Sequence, residues 1–259
     1  MAQNNVAAST QNQAFNAIIF FYKEALGTEL KNVQSLRARR PAHIRHAPTP
    51  EETRQLIKAI GSEAPFATNL VVRLLYGCGL RVSEPLNLRI KDVNFGAAQL
   101  TIRAAKGGKD RVVAIPCSVL IDLREQIQAA RAVWRHDQQN RVPVALPLQL
   151  ARKYPAAHFD WHWAWLFPAN KSCLDPRTGQ LVRWRLHEAH VQRAVRTACR
   201  KAGLFILPHE LRHAYATHCL NRGANPRAIQ EAMGHQSLET TMGYLHAEAR
   251  SVPSPLDSV

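Results

Sequence analysis

One stretch of this 259-residue chain breaks an otherwise helical pattern of apolar residues, and it sets the fold class. Over residues 99–116 the spacing changes to short alternating runs, Leu100-Thr-Ile102 and Val112-Val-Ala-Ile115, which flank Lys106-Gly-Gly-Lys109. Alternation at period two points successive side chains to opposite faces of a strand, and glycines between two such runs mark the turn of a β-hairpin. The segments around it read as helices. Thr49-Pro-Glu-Glu52 is a capping box with proline at the first helical position, opening a helix that ends near Gly61. A second helix runs from near Pro65 through Leu70, Val71, Val72, Leu74 and Leu75 to Gly77. Further helices are expected over residues 121–134, 185–202, 209–221, 227–233 and 240–249. The pattern predicts a mainly α chain with a small antiparallel β-sheet, the α+β class.

Residues 9–26 also read as a helix, capped by Ser9 or Thr10 and stopped at Gly27. Ile18, Ile19, Phe20, Phe21 and Tyr22 place apolar groups on nearly every side, so this helix wants neighbours on more than one face. None precedes it in the chain, and residues 1–34 are expected to be the last helix of an N-terminal domain cut short. Residues 35–48, basic and proline-containing, read as a linker. Residues 49–259 form the main domain, with an irregular segment at about 147–180 that carries Trp161, Trp163 and Trp165.

Lysine and arginine total 34 against 19 acidic residues, a formal net charge of +15. Such an excess favours polyanions and salt-sensitive binding, although charge alone does not separate nucleic acid from an anionic membrane. The five cysteines are scattered without a CxxC pair, which argues against a secreted disulfide framework or a zinc ribbon. The start lacks the features of a signal peptide. The longest apolar run, residues 17–22, is far shorter than the ~18 residues of a spanning helix. A cytoplasmic, reduced protein without a membrane partner is expected.

The segment Pro208-His-Glu-Leu-Arg-His213 carries the densest chemistry. Residues three apart share a helix face, so His209 and Arg212 project together. A guanidinium fork beside an imidazole suits a phosphodiester, because arginine holds two non-bridging oxygens at once. The same residues match the HExxH zinc-protease pattern through His209 and His213. Against that reading, Arg212 would set a permanent cation beside a dication, and no motif supplies a third ligand.

Downstream, Gly234-His235 is followed nine positions later by Tyr244 on a helix. Together with the upstream His-x-x-Arg, this closely resembles the C-terminal signature of tyrosine recombinases, the phage-integrase-like family. Tyr76-Gly-Cys-Gly-Leu-Arg-Val-Ser-Glu84 resembles the family's first box, and Lys106-Gly-Gly-Lys109 the hairpin that presents its lysine. The four boxes occur in the family's order. The resemblance implies the tyrosine recombinase catalytic-domain fold and a metal-free, cofactor-free reaction. Tyr244 would attack phosphorus to give a 3′-phosphotyrosyl bond. Arg81 and Arg212 would neutralise the non-bridging oxygens. His209 and His235 would hydrogen-bond the phosphate, with His209 accepting the phenol proton, and Lys106 would protonate the leaving 5′-oxygen. Glu84 would orient an active-site cation without taking part in the chemistry.

Leu148-Gln-Leu-Ala-Arg-Lys-Tyr-Pro155, Trp163-Ala-Trp-Leu-Phe-Pro168 and Asp175-Pro-Arg-Thr-Gly179 resemble the extra segment of integron integrases. The likeness implies recombination of gene cassettes, DNA partners that include duplex and folded single-stranded hairpin sites, and a homotetramer in the synapse formed from free monomers. Candidate DNA contacts are then Arg37, Arg39 and Arg40 in the linker, Lys109 and Arg111 on the hairpin, and Arg152, Lys153 and Trp163 in the insertion. The rival for the tryptophans is a small satellite core. Rival readings for the whole chain are a phage or chromosome-dimer recombinase, a zinc hydrolase, and a DNA-binding remnant without activity.

Overall fold

The backbone N–H of Thr49 donates to Glu52 Oε2 (2.8 Å), and Thr49 Oγ1 accepts from the Glu52 N–H (3.1 Å). This reciprocal cap satisfies two otherwise orphaned donors and starts the main domain where its sequence says a helix should begin. The computed structural model describes residues 8–30, 47–63, 66–103, 110–234. The chain divides into two compact units, Met1–Arg45 and His46–Val259. In the first, α1 (Ala8–Ala25) leaves Phe20 and Phe21 exposed.

In the second unit the helices are α2 (Pro50–Glu63), α3 (Phe66–Gly77), α4 (Ser83–Leu86), α5 (Leu120–Gln139), α6 (Leu148–Lys153), α7 (Glu188–Ala202), α8 (Pro208–Asn221) and α9 (Pro226–Met233). Helix α2 packs along α7, and α3 along α8. Leu56, Ile60, Leu70, Leu74, Val191 and Val195 are fully or almost fully buried between them. Strands β1 (Val93–Asn94), β2 (Gln99–Ile102) and β3 (Arg111–Ala114) form one antiparallel sheet in that order. Leu100 opposes Val113 and both point into the core, whereas Val112 faces out. The alternation in the sequence is therefore this sheet's two faces. β1 was not read in the sequence, because two residues are too few to show a period. The expected helix over residues 240–249 lies outside the described residues.

The irregular segment is built into the domain. It contributes α6, the two-stranded ribbon of β4 (Cys173–Leu174) and β5 (Leu181–Val182), and several short turns. Leu166 and Phe167 are completely buried in the main core. The Leu166 N–H donates to Leu88 O (3.0 Å), and the Ile90 N–H to Ala164 O (3.1 Å). Between these bonds the buried Arg89 guanidinium donates to the carbonyls of Trp163 and Ala145 and lies 3.7 Å from the Trp165 ring centroid. Burial pulls the Arg89 pKa down to about 10, which still leaves it charged at neutral pH. Trp165 is buried and donates its Nε1–H to Arg183 O (3.1 Å), so of the three tryptophans it is plainly a core residue. Trp161 and Trp163 are half-buried.

Arg183 closes the other side. Its Nε and Nη2 donate to both carboxylate oxygens of Asp137 at 2.7 and 2.6 Å, and both side chains are almost fully buried. Removing one member of such a pair leaves the other charge buried without its counter-ion, which costs about 3–5 kcal/mol. We predict that Asp137→Ala lowers the urea midpoint of the domain by a corresponding amount at unchanged slope. A midpoint equal to wild type would show that the segment is not anchored there.

Candidate active site

Three arginines that are far apart in the sequence meet on one carboxylate. Arg81 stands just before α4, and both its backbone N–H and its Nη1 donate to Glu84 at 2.8 Å. Arg111, the first residue of β3, grips Glu84 bidentately through Nη1 (2.9 Å) and Nη2 (2.7 Å). Arg212, one turn into α8, brings Nη1 to 3.9 Å from Glu84 Oε2. The glutamate is buried, and so is Arg212. Three guanidinium groups against one carboxylate leave the cluster with an excess of two positive charges.

The same arginines also hold the end of α9. Arg111 Nε donates to Ala232 O (2.7 Å), Arg212 Nη2 to Met233 O (2.6 Å), and Arg81 Nη2 reaches Gly234 O at 3.5 Å. The last carbonyls of a helix lack intrahelical partners and carry the negative end of its dipole, so cations are favoured there. Gly234 caps α9 in the left-handed conformation (φ 65°, ψ 47°) that glycine tolerates best. A Cβ at this position would also press on the Arg111 side chain at 3.2–3.4 Å. His235 follows directly in the sequence.

Gly79 fixes the opposite side. It adopts φ +62°, and a Cβ there would sit 2.7 Å from Tyr215 Cε1. With no side chain, its backbone comes close enough for its carbonyl to accept from Arg212 Nη1 (2.6 Å). Tyr215 itself is held as a phenol, since burial pushes its pKa up to about 12. That environment disfavours the phenolate a nucleophile would need. His209 is exposed in the first turn of α8, its ring centroid 5.8 Å from that of His213. Among the described residues no group of three or more His, Cys, Asp or Glu side chains is placed to hold a metal ion.

Of the residues singled out in the sequence, Arg81 and Arg212 come together around Glu84, the acid expected to orient a cation, and His209 stands one turn from Arg212 on α8. Arg111 departs from expectation. It is not an open surface cation: its side chain is 10% exposed and committed to Glu84 and Ala232. Arg152 and Lys153 are exposed at the end of α6. Trp163 has one ring face covered by the Lys91 ammonium, and its ring lies 6.3 Å from that of Tyr154. Lys106, His235 and Tyr244, like Arg37, Arg39, Arg40 and Lys109, lie outside the described residues. Sequence reasoning missed Lys91 and Tyr154 as neighbours of Trp163, and it missed the carbonyls of Ala232, Met233 and Gly234, for which residue type carries no signal.

The fold is that of the tyrosine recombinase catalytic domains, mostly helical with small antiparallel sheets. The chain belongs to the phage integrase family, which it matches over residues 48–250. It is 39% identical to an "Integrase/recombinase" of Escherichia coli over 99% of its own length and 77% of that protein's. To the "Tyrosine recombinase XerA" of Pyrococcus furiosus it is 34% identical, over 95% of this chain and 73% of the other. The crystal structure of XerA recombinase superposes with a TM-score of 0.57 at 26% identity, covering 94% of this chain and 73% of that one.

Burial would raise the Glu84 carboxyl, but the hydrogen bonds and charge of Arg111, joined by Arg81, outweigh it and hold the pKa below the usual glutamate range. A lowered folded pKa contributes stability above the unfolded value of about 4.3, and that contribution is lost as pH falls through the folded value. We therefore expect wild type to be more stable than Glu84→Gln at about pH 7, with the gap closing towards about pH 3. Urea midpoints at both pH values check this, and a gap independent of pH would contradict it.

Proposed function

We propose that this chain is a site-specific DNA recombinase that cleaves and rejoins strands through Tyr244. The observation that carries the reading is the convergence of Arg81 and Arg212 on Glu84 with positive charge in excess. A phosphodiester under attack becomes a doubly negative phosphorane, and a preorganised pair of guanidinium forks stabilises that charge where it develops. The Tyr244 oxygen forms a bond to phosphorus while the bond to the 5′-oxygen breaks. His209 takes the phenol proton, and Lys106 returns one to the leaving oxygen. His235, directly after the α9 cap, hydrogen-bonds the phosphate. The bond energy stays in the phosphotyrosine, so a second 5′-hydroxyl reverses the step without ATP. Family membership supports the reaction class, and the individual roles follow from the likeness of the motifs around Arg81, Lys106, His209, Arg212, His235 and Tyr244.

We further propose an integron-type role, cassette integration and excision on duplex and folded hairpin sites by a synaptic homotetramer. In this reading residues 1–34 belong to a DNA-clamping domain, residues 35–48 are a linker and residues 49–259 the catalytic domain. The supporting observation is a basic, aromatic patch on this segment: exposed Tyr154 lies beside Trp163 and Lys153, Lys91 covers one face of Trp163, and Arg152 is exposed next to Lys153 in the chain. Aromatic platforms flanked by cations suit protruding bases, at ~1–3 kcal/mol per stacked base. The second reading is a chromosome-dimer type recombinase, which the likeness to XerA favours.

A duplex nicked beside the scissile phosphate tests the chemistry. Wild type should be trapped as a covalent adduct in the presence of EDTA, whereas Tyr244→Phe should give none. Arg81→Ala and Arg212→Ala should abolish trapping with little loss of affinity, because one phosphate contact is a small part of the footprint. Binding without any adduct from wild type would overturn the recombinase reading. For the integron role, Arg152→Ser/Lys153→Ser/Tyr154→Ala should weaken hairpin substrates about tenfold or more relative to duplex. Equal losses on both would favour the chromosome-dimer reading. The whole segment is unsuitable for deletion, because Leu166 and Phe167 belong to the core.

A further inference from the structure

We propose that Arg111 is a positioning residue for strand cleavage, one that keeps the Arg81–Arg212 pair in a phosphate-ready arrangement without itself contacting DNA. The inference rests on the recombinase reading above. A carboxylate amid three guanidiniums attracts them all: Glu84 already holds Arg81 at 2.8 Å, and with Arg81 alone for company it would draw Arg212 inward as well. Arg111 occupies both Glu84 oxygens, at 2.9 and 2.7 Å, and leaves Arg212 at 3.9 Å, where it keeps its own bonds to Gly79 O and Met233 O. The planar fork matters, because an ammonium is a single point of charge and cannot span two carboxylate oxygens in this way. The third guanidinium nitrogen of Arg111 is also used: Nε donates to Ala232 O at 2.7 Å. Its side chain lies against Gly234, where no Cβ could be added without displacing it. Arg111 thus ties three pieces together: the first residue of β3, the carboxylate that anchors Arg81, and the last turn of α9, whose other carbonyls hold Arg212 and Arg81. All three of its guanidinium nitrogens are committed, two to the Glu84 carboxylate and one to Ala232 O.

Two roles for a basic residue of the hairpin are separable by experiment. A phosphate contact contributes to affinity and to its salt dependence, about one unit of slope per contact, and it acts before chemistry. A positioning residue leaves affinity alone and lowers the rate at saturating DNA. Misplacement of catalytic groups by about 1 Å can cost on the order of 10²-fold. The test uses the full chain on the nicked duplex, comparing wild type, Arg111→Gln, Arg111→Lys and Arg111→Gln/Glu84→Gln. Adduct formation is timed at saturating DNA, and binding is titrated from low to high salt. Both single variants should bind with the wild-type salt slope and form adduct on the order of 10²-fold more slowly, lysine giving at most partial rescue. The double variant should be no slower than Arg111→Gln, because the two side chains act as one unit. Where Arg111→Gln fails to fold, Arg111→Lys and the double variant carry the comparison. Adduct at the wild-type rate in the singles, or a slope reduced by about one with the saturated rate intact, overturns the proposal while leaving the recombinase reading standing. No adduct from wild type overturns both.

Discussion

Guanidinium groups repel one another, and Arg81, Arg111 and Arg212 can meet only because Glu84 sits among them. At an effective dielectric of about 20, two unit charges 4 Å apart interact by ~4 kcal/mol, a large fraction of the 5–15 kcal/mol by which a domain is stable. Arg81, Arg111 and Arg212 converge nonetheless, because one buried carboxylate and the dipole end of α9 offset the repulsion. The compensation is incomplete, and a positive excess remains for the use proposed above. Full neutrality would leave nothing for an incoming phosphate, and a second acid would repel it. The remaining positive charge is held on elements from three parts of the chain, so the site exists only when α4, β3, α8 and α9 are packed together.

The irregular segment obeys the same rule in a different place. Arg89 and Arg183 are buried cations, but Arg183 has its own carboxylate on Asp137, whereas Arg89 is held by two carbonyls and a tryptophan face. These contacts fasten residues 143–185 to α5 and to the stretch between α4 and β1. They leave α6, Tyr154 and the β4–β5 ribbon facing outward, with Trp163 half-buried beside Tyr154. A surface patch that recognises nucleic acid needs such rigid backing, because side chains ordered only on binding lose affinity to the entropy of ordering. No helix among the described residues is long and apolar enough to cross a membrane.

Much of this was legible in the sequence because the signals were local. The capping box at Thr49, the alternation around the Gly-Gly turn and the 3.6-residue spacing of α3 each depend on residues close together, and each element appears within a few residues of its expected span. Arg81 and Arg212 could be named because they stand in motifs of recognisable spacing. Arg111 could be named but not understood. A basic residue on a hairpin reads as a surface cation, and only the fold reveals that its partner is 27 positions earlier and its second acceptor 121 positions later. Backbone acceptors are invisible for the same reason: every residue has a carbonyl, and nothing in Ala232, Met233 or Gly79 announces which one will receive a guanidinium. Trp165 and Trp163 look alike in sequence yet differ in burial, since burial depends on where Arg89 and Lys91 arrive from elsewhere.

On the recombinase reading this arginine cluster serves a covalent transfer to one phenol. Trypsin would release Tyr244 within the peptide spanning residues 228–250, where it is the sole tyrosine. Peptide mass mapping of the protein after reaction with a short nicked duplex tests the claim most directly. This peptide alone should gain the mass of a 3′-phosphorylated DNA remnant, on Tyr244. The same mass on Tyr215, on a histidine of α8, or on no peptide while the DNA is nevertheless cut, would contradict it.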